Sequence, residues 1–283
     1  MKTSGKIAAT QKFCQRAPKP LVFVPTMGAL HEGHASLIRK AKILAGKKGT
    51  VAVSIFVNPT QFGPKEDFSK YPRAVQADNA LCRSLGVNLL FRPASEEMYF
   101  KSPSIQVQEG KLSTVLCGAS RPGHFNGVCT VVTKLFHIVQ PDIAIFGEKD
   151  WQQLAIIRRM VRDLNFPIQI IGGAIVRESD GLAMSSRNHY LSCRERSLAP
   201  FLSLALQEAK SLYHSGECRA SVFAASIKKT LSKLSGTRVD YIQVVDSENL
   251  QPLSKVGDRS ATIALAVFFG KTRLIDNIQL SLK

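Results

Sequence analysis

The chain has 283 residues, of which 45% are hydrophobic, and it carries a formal net charge of +17 at pH 7. This length is sufficient for two domains with separate cores, and no apolar run is long enough to span a membrane, so we expect no membrane partner. Residues 1–5 lack the basic and apolar pattern of a signal peptide, and the six cysteines form no C-x-x-C pair. We therefore expect a cytoplasmic protein with reduced thiols.

The positive charge has two interpretations. Clustered Lys and Arg side chains can bind nucleic acid, because they release counterions from its phosphates. A solvated basic surface can instead attract small anionic ligands. The basic residues are spread from Lys2 to Lys283, without an aromatic RNA-binding motif or a helix-turn-helix. This distribution favours the second interpretation, so we expect no nucleic-acid partner.

The first two thirds of the chain alternate strand-like apolar runs with helical patterns. Such alternation predicts an α/β fold, with a Rossmann-like parallel sheet covered by helices on both faces. After about residue 176 the pattern predicts a smaller α+β domain, so we place the domains at 1–175 and 176–283. The predicted strands are 21–24, 51–57, 87–91, 142–146, 168–173, 239–245, 261–268 and 273–280. The predicted helices are 34–46, 74–85, 127–140, 150–164, 192–214 and 217–234.

The first chemical motif, His31-Glu-Gly-His34, follows strand 21–24 and opens a helix. A helix N-terminus with unpaired N–H groups attracts phosphate, and Gly28 and Gly33 would allow close backbone approach. Two imidazoles three residues apart share a helical face and could donate hydrogen bonds to phosphate oxygens. An isolated motif of this kind also fits two surface histidines at a turn, but the preceding strand and the following apolar helix favour a triphosphate site.

A second polar loop, residues 58–63, follows strand 51–57. Proline, glycine and asparagine are typical of an ordinary surface turn. The amide of Gln61, however, can both donate and accept hydrogen bonds, which suits a ligand with hydroxyl and carboxylate groups. In parallel sheets such ligands bind beyond the carboxyl ends of the strands.

A third polar block follows strand 142–146 and precedes a helix. Glu148, Lys149 and Asp150 could simply cap that helix. Alternatively, Lys149 places a point charge on the phosphates, and Asp150 lies near Mg²⁺ or the nucleotide. We favour this functional interpretation because the block stands at the carboxyl end of a predicted strand.

A fourth block, Met184-Ser185-Ser186-Arg187, lies just after the predicted change of domain. It could be an exposed interdomain linker. Two hydroxyls and a guanidinium can also bind the β- and γ-phosphates and neutralise the departing pyrophosphate. With the histidine motif, this block would hold one triphosphate from two sides.

Taken in order, these blocks resemble the pantoate–β-alanine ligase family, part of the nucleotidyltransferase superfamily that shares the His-x-Gly-His motif. The resemblance covers residues 19 to about 192 and is mainly architectural beyond them. It implies ATP-dependent condensation of pantoate with β-alanine through a pantoyl adenylate, with release of AMP and pyrophosphate. It also implies Mg²⁺, a cytoplasmic homodimer, a mobile gate at about 64–77, and a C-terminal domain that forms a lid over the active site.

The same resemblance implies roles for the matching positions. It gives His34 as a proton donor and Val176 as a residue whose backbone lies near the adenine. We expect Asp78 to be structural, and the alternative is that it supports the bound nucleotide. The implied catalytic residues are His31, His34, Lys149, Ser185, Ser186 and Arg187. The implied ATP-binding residues are these six together with Met27, Gly28, Gly33, Gly147, Glu148, Asp150, Val176 and Met184. The implied pantoate and β-alanine residues are Asn58, Gln61, Arg121, His124 and Gln153.

Two rival functions remain open at this point. A nucleotidyltransferase acting on a phosphorylated small molecule would explain both phosphate-binding blocks, but not Gln61 and Gln153. A basic RNA-binding protein would explain the charge alone.

Overall fold

A six-stranded parallel sheet forms the centre of the first of two compact units in the computed structural model, which describes residues 1–64, 66 and 68–281. This unit comprises residues 1–114, 118–148 and 156–174. The second unit comprises residues 115–117, 149–155 and the chain from Ile175 onward. Among the described residues no helix combines the length and the hydrophobicity that a bilayer span requires.

The sheet of the first unit has the strand order β1-β4-β3-β2-β5-β6. Strands β2, β3 and β5 are parallel neighbours, so their carboxyl ends lie at one edge of the sheet. The chain extends the sheet first from β2 to β3 and later from β2 to β5, and in such folds ligands bind at the edge where the strand order reverses. The strands are β1 (Lys2–Ser4), β2 (Leu21–Thr26), β3 (Thr50–Ile55), β4 (Leu89–Phe91), β5 (Ile143–Gly147) and β6 (Gln169–Gly173). The helices along this part of the chain are α1 (Ile7–Arg16), α2 (Glu32–Ala45), α3 (Val75–Ser84), α4 (Ser95–Met98), α5 (Cys117–Ser120), α6 (His124–Val139) and α7 (Trp151–Asp163).

Helices cover both faces of this sheet, as predicted. Alternate residues of β2 point to opposite faces. Val22 and Val24 join one core cluster with Ile38 of α2 and Cys82 of α3. Helix α6 packs against β2 and α1. The complete burial of all four residues 21–24 follows from this double coverage.

The second unit contains a three-stranded antiparallel sheet, in the order β7-β8-β9, and helices that pack on it. The predicted helix 192–214 is wrong as a single element, because it divides at Pro200, which lacks an N–H and cannot continue a helix. Strand β1 and helices α1, α4 and α5 are not among the predicted elements. The elements of this unit are α8 (Cys193–Leu198), α9 (Phe201–His214), α10 (Ala220–Leu231), β7 (Thr237–Asp246), β8 (Ala261–Phe269) and β9 (Thr272–Leu280).

Candidate active site

The turn between β2 and α2 has an unusual backbone. Gly28 and Ala29 both have positive φ angles, of 85° and 50°. A Cβ on Gly28 would stand 2.9 Å from Ile55 Cγ2 and 3.1 Å from Asp78 Oδ2, so only glycine fits there. The buried carboxylate of Asp78 accepts the N–H of Ala29 at 3.1 Å and the N–H of Leu30 at 2.8 Å. Asp78 therefore has a structural contact with the turn that precedes the histidine motif.

The two histidines cap the N-terminus of α2. His31 is the N-cap residue, and its Nδ1 accepts the N–H of Gly33 at 3.1 Å. The Nδ1 of His34 accepts the N–H of His31 at 3.3 Å. The two ring centroids lie 4.1 Å apart. The imidazoles thus lie together as predicted, although His31 precedes the helix instead of sharing its face.

This cap determines which nitrogen of each ring carries the proton. Because both Nδ1 atoms accept backbone N–H groups, each imidazole is neutral and protonated on Nε2. The expectation of unpaired backbone N–H groups at this turn is wrong for Ala29, Leu30, His31 and Gly33, which donate to Asp78 or to the histidines. With Nδ1 of each ring bonded to the backbone, Nε2–H is the donor that each imidazole can direct toward a ligand.

Gln61 lies in a short 3₁₀ turn, Pro59–Gln61, beyond β3. Its Oε1 accepts from Asn58 Nδ2 at 3.2 Å, and its Nε2 donates to Met27 Sδ at 2.9 Å. Asn58 is itself fixed, because its Nδ2 donates to Gly127 O at 3.1 Å and its Oδ1 accepts from Tyr99 Oη at 2.8 Å. The amide of Gln61 is therefore held next to the turn that carries the histidines.

Helix α6 packs directly on this 3₁₀ turn. A Cβ on Gly127 would stand 2.3 Å from Thr60 O and 2.7 Å from Gln61 N, so the close approach requires glycine. His124 is the first residue of α6, not a loop residue, and its Nδ1 lies 2.7 Å from Gln61 O. The predicted pantoate residues Asn58, Gln61 and His124 are thus brought together in the first unit.

Arg121 is engaged by a residue of the predicted gate. Its Nε and Nη2 bond the two carboxylate oxygens of Glu66, both at 2.6 Å, and its Nη1 lies 3.0 Å from His124 Nε2. Burial alone would raise the pKa of Glu66, but the hydrogen bonds and the charge of Arg121 lower it on balance. Two residues of the predicted gate, Lys65 and Asp67, lie outside the described residues.

The polar block after β5 is shared between the two units. In the first unit β5 ends at Gly147, and the side chain of Glu148 covers Gly172, where a Cβ would meet Glu148 Oε1 at 2.5 Å. In the second unit the carbonyl of Lys149 accepts from Asn277 Nδ2 at 2.9 Å. The side chain of Asp150 is exposed.

The two glutamines of α7 have different environments. Gln152 is buried, and its amide is bonded to the backbone of Cys117 and Val115, at 2.9 and 2.7 Å. Gln153 is only half-buried. The amide of Gln152 therefore supports the backbone at residues 115–117 of the second unit, whereas the side chain of Gln153 is partly exposed.

The Met184–Arg187 block follows a small hairpin in which Arg177 pairs with Ala183. Met184 N donates to Val176 O at 3.0 Å, and Ser185 Oγ caps the next 3₁₀ turn by accepting from Arg187 N at 3.2 Å. These contacts bring Val176 and Met184 together in the second unit. They form a capped turn in which Ser186 is buried, whereas the alternative interpretation was an exposed interdomain linker.

Several supporting residues could not be found from the sequence. Tyr99, Asp276 and Asn277 act on residues far along the chain, and no local motif marks them. Asp78 is structural, as expected, and Glu66 belongs to the predicted gate, but the partners of these two residues could not be read from the sequence. The described residues contain no group of three or more His, Cys, Asp or Glu side chains that could hold a metal. Mg²⁺ commonly uses one or two carboxylates together with substrate phosphates, so the exposed Asp150 fits that pattern.

The chain is similar to known proteins over nearly its whole length. Residues 1–279 match the family described as Pantoate-beta-alanine ligase. Pantothenate synthetase of Thermosipho africanus is 51% identical over 98% of this chain and 99% of its own length. The crystal structure of pantothenate synthetase from Thermus thermophilus superposes with a TM-score of 0.91 at 44% identity, covering 98% of this chain and 99% of the other. A Francisella tularensis pantoate-beta-alanine ligase, complexed with beta-gamma ATP and beta-alanine, has a TM-score of 0.80 at 34% identity, covering 98% and 97%.

Proposed function

The chain belongs to the pantoate–β-alanine ligase family and has its ligase activity, and on that premise we propose how its residues carry out the reaction. ATP and β-alanine, the ligands named for the Francisella tularensis structure, are assigned to this chain as substrates beside pantoate. The observation that carries the residue assignments is the pair of neutral imidazoles at the N-terminus of α2, with the Gln61 amide beside the same turn.

The ligation proceeds in two steps through an adenylate. A carboxylate oxygen of pantoate attacks the α-phosphorus of ATP, and the bond to pyrophosphate breaks with its electron pair leaving on pyrophosphate. The amine of β-alanine then attacks the acyl carbon, the bond from that carbon to AMP breaks, and the nitrogen loses a proton. Adenylation is required because a free carboxylate has a poor leaving group.

Little covalent chemistry is asked of the protein, so positioning and charge stabilisation dominate. The Nε2–H groups of His31 and His34 donate to phosphate oxygens as negative charge develops on them. Lys149 adds a point charge. The hydroxyls of Ser185 and Ser186 and the guanidinium of Arg187 bind the departing pyrophosphate. Met27, Gly28, Gly33, Gly147, Glu148, Asp150, Val176 and Met184 complete the proposed ATP-binding set.

Pantoate is assigned to the network around Gln61. The amide can accept from a pantoate hydroxyl and donate to its carboxylate, and Gln153 has the same capacity. Asn58, His124 and Arg121 support that pocket through their bonds to Gln61 and to one another. Mg²⁺, when bound, would supply neutralising charge, and Asp150 is the candidate carboxylate that would hold it. The homodimer, the cytoplasmic location and the lid formed by residues 176–283 stay predictions.

Omission of single substrates tests this mechanism. The protein is mixed with ATP, Mg²⁺, pantoate and β-alanine, each left out in turn, and the products are separated. Labelled pyrophosphate should exchange into ATP when pantoate is present and β-alanine is absent. Exchange that does not need pantoate would instead indicate a nucleotidyltransferase with another acceptor. Salt-sensitive RNA retention without ATP turnover would indicate an RNA-binding protein.

A further inference from the structure

The carboxylate of Asp78 is buried at the turn that carries the histidine motif. Asp78 lies in the first turn of α3, with 2% of its surface exposed. Its two oxygens accept two successive backbone N–H groups, those of Ala29 and Leu30. A buried carboxylate that accepts backbone N–H groups from a distant loop fixes the conformation of that loop.

The conformation that Asp78 holds is one that the local sequence does not favour. Gly28 tolerates its φ of 85°, but the φ of 50° at Ala29 is in the left-handed region, which residues with a Cβ avoid. The turn therefore needs an external contact to be populated. The two N–H bonds to Asp78 provide that contact.

The residues held by this turn are those assigned to the chemistry. His31 follows Leu30 directly and caps α2, and its N–H bonds Nδ1 of the His34 ring. We propose that Asp78 is a positioning residue for adenylation. By holding Ala29 in its left-handed conformation, Asp78 keeps the Nε2–H donors of His31 and His34 in the positions that the reaction requires. This inference rests on the proposed role of the two histidines. A shift of about 1 Å in such donors typically costs about 100-fold in rate.

The test uses Asp78→Asn, which replaces one acceptor oxygen with an NH₂ group that opposes a backbone N–H. We expect the rate of pyrophosphate release at saturating ATP and pantoate to fall by about 10-fold or more. Ala29→Gly should have little effect alone, because glycine accepts the left-handed conformation. In the double variant Ala29→Gly/Asp78→Asn, the rate should recover substantially, since the turn no longer depends as strongly on the carboxylate.

A matched control is available at the other end of β2. Asp142 Oδ2 accepts the N–H of Leu21 at 2.6 Å, so Asp142→Asn also replaces a carboxylate that is bonded to the backbone of this strand. It should lower the melting temperature and leave the pyrophosphate-release rate at the parental value. Circular dichroism of each variant confirms folding at the assay temperature. If Asp78→Asn does not fold, Asp78→Glu is used, with the same loss and the same rescue expected.

The outcomes separate this inference from the proposed function. Parental turnover in Asp78→Asn, or a loss that Ala29→Gly does not restore, overturns the positioning role. His34→Ala is assayed in parallel. If His34→Ala retains parental pyrophosphate release, the proposed function of the histidines fails. If His34→Ala is inactive while Asp78→Asn is fully active, only the role of Asp78 fails.

Discussion

The guanidinium of Arg177 donates to both carboxylate oxygens of Asp276, at 2.6 and 3.1 Å. The Asp276 side chain is fully buried, and Arg177 begins the hairpin that leads to the Met184–Arg187 block. The next residue of β9, Asn277, donates to the carbonyl of Lys149. Two adjacent residues of one strand therefore support both proposed phosphate-binding elements of the second unit.

Loss of this buried pair should destabilise the second unit. Asp276→Ala leaves the Arg177 guanidinium without its carboxylate, and removal of one partner from a buried pair typically costs about 3–5 kcal/mol. Urea unfolding followed by circular dichroism measures the change. Arg162→Ala breaks the exposed pair with Asp163 and should leave the unfolding curve almost unchanged. Equal curves for the two variants would contradict the structural role of Asp276.

His34→Ala should fold but lose most adenylation activity. Removal of one preorganised donor typically lowers the rate by about 10²–10³-fold, whereas the lost helix cap costs only about 1 kcal/mol of stability. The measurement is stopped-time pyrophosphate release with pantoate and ATP. His214→Ala, at the exposed end of α9, serves as the control and should keep full activity.

Lys149→Ala should lower the rate of pyrophosphate release by a comparable factor. The variant lacks the positive charge that is proposed to stabilise the negative charge developing on the phosphates. Folding should persist, since the bond from Asn277 goes to the Lys149 backbone carbonyl and not to its side chain. Lys228→Ala, on the exposed side of α10, is the matched control. Near-parental turnover in Lys149→Ala would remove that residue from the catalytic set.

Gln61 substitutions should affect pantoate more than ATP. Gln61→Ala removes both the donor and the acceptor of the amide, and we expect KM for pantoate to rise by about 10-fold or more, with little change in KM for ATP. Gln61→Glu keeps the shape but repels a carboxylate and cannot donate to Met27 Sδ, so its loss should be larger. Substrate titrations distinguish these results. Equal increases in both KM values would argue against a pantoate-specific role.

Gly127→Ala should disturb the same pocket without touching a polar side chain. The new Cβ would lie 2.3 Å from Thr60 O, and because its neighbours are backbone atoms, the 3₁₀ turn that carries Gln61 must move. We expect a higher KM for pantoate and a lower melting temperature. Gly110→Ala, where a Cβ meets nothing within 4 Å, is the control and should behave as the parent.

The Glu66–Arg121 pair should make a pH-dependent contribution to stability. The pKa of Glu66 in the folded chain is below its ordinary value of 4.5, so the pair stabilises the fold above that pH, and this contribution is lost as the pH falls through the lowered pKa. Comparison of the parent with Glu66→Gln at pH 7 should give a difference of about 1 kcal/mol in the free energy of unfolding. Well below pH 4.5 the difference should vanish. A constant difference at both pH values would contradict this origin.

Local patterns in the chain determined much of the architecture. The apolar runs at 21–24, 51–57 and 142–146 correspond to β2, β3 and β5, and their carboxyl ends meet at the predicted edge of the sheet. These predictions succeeded because periodicity and turn composition act over a few neighbouring residues. The same local character allowed the polar blocks to be placed after the strands and the family to be identified.

Only the tertiary structure decided which groups accept the backbone N–H groups of the turn before α2. The sequence suggested free N–H groups before α2, but Asp78, 49 residues away, accepts the one from Ala29, and the histidines accept two more through Nδ1. In the same way, Glu66 and Arg121 are 55 residues apart, and Arg177 and Asp276 are 99 apart. Such partners are chosen by packing, which brings distant side chains to one place, and no periodicity along the chain encodes that choice.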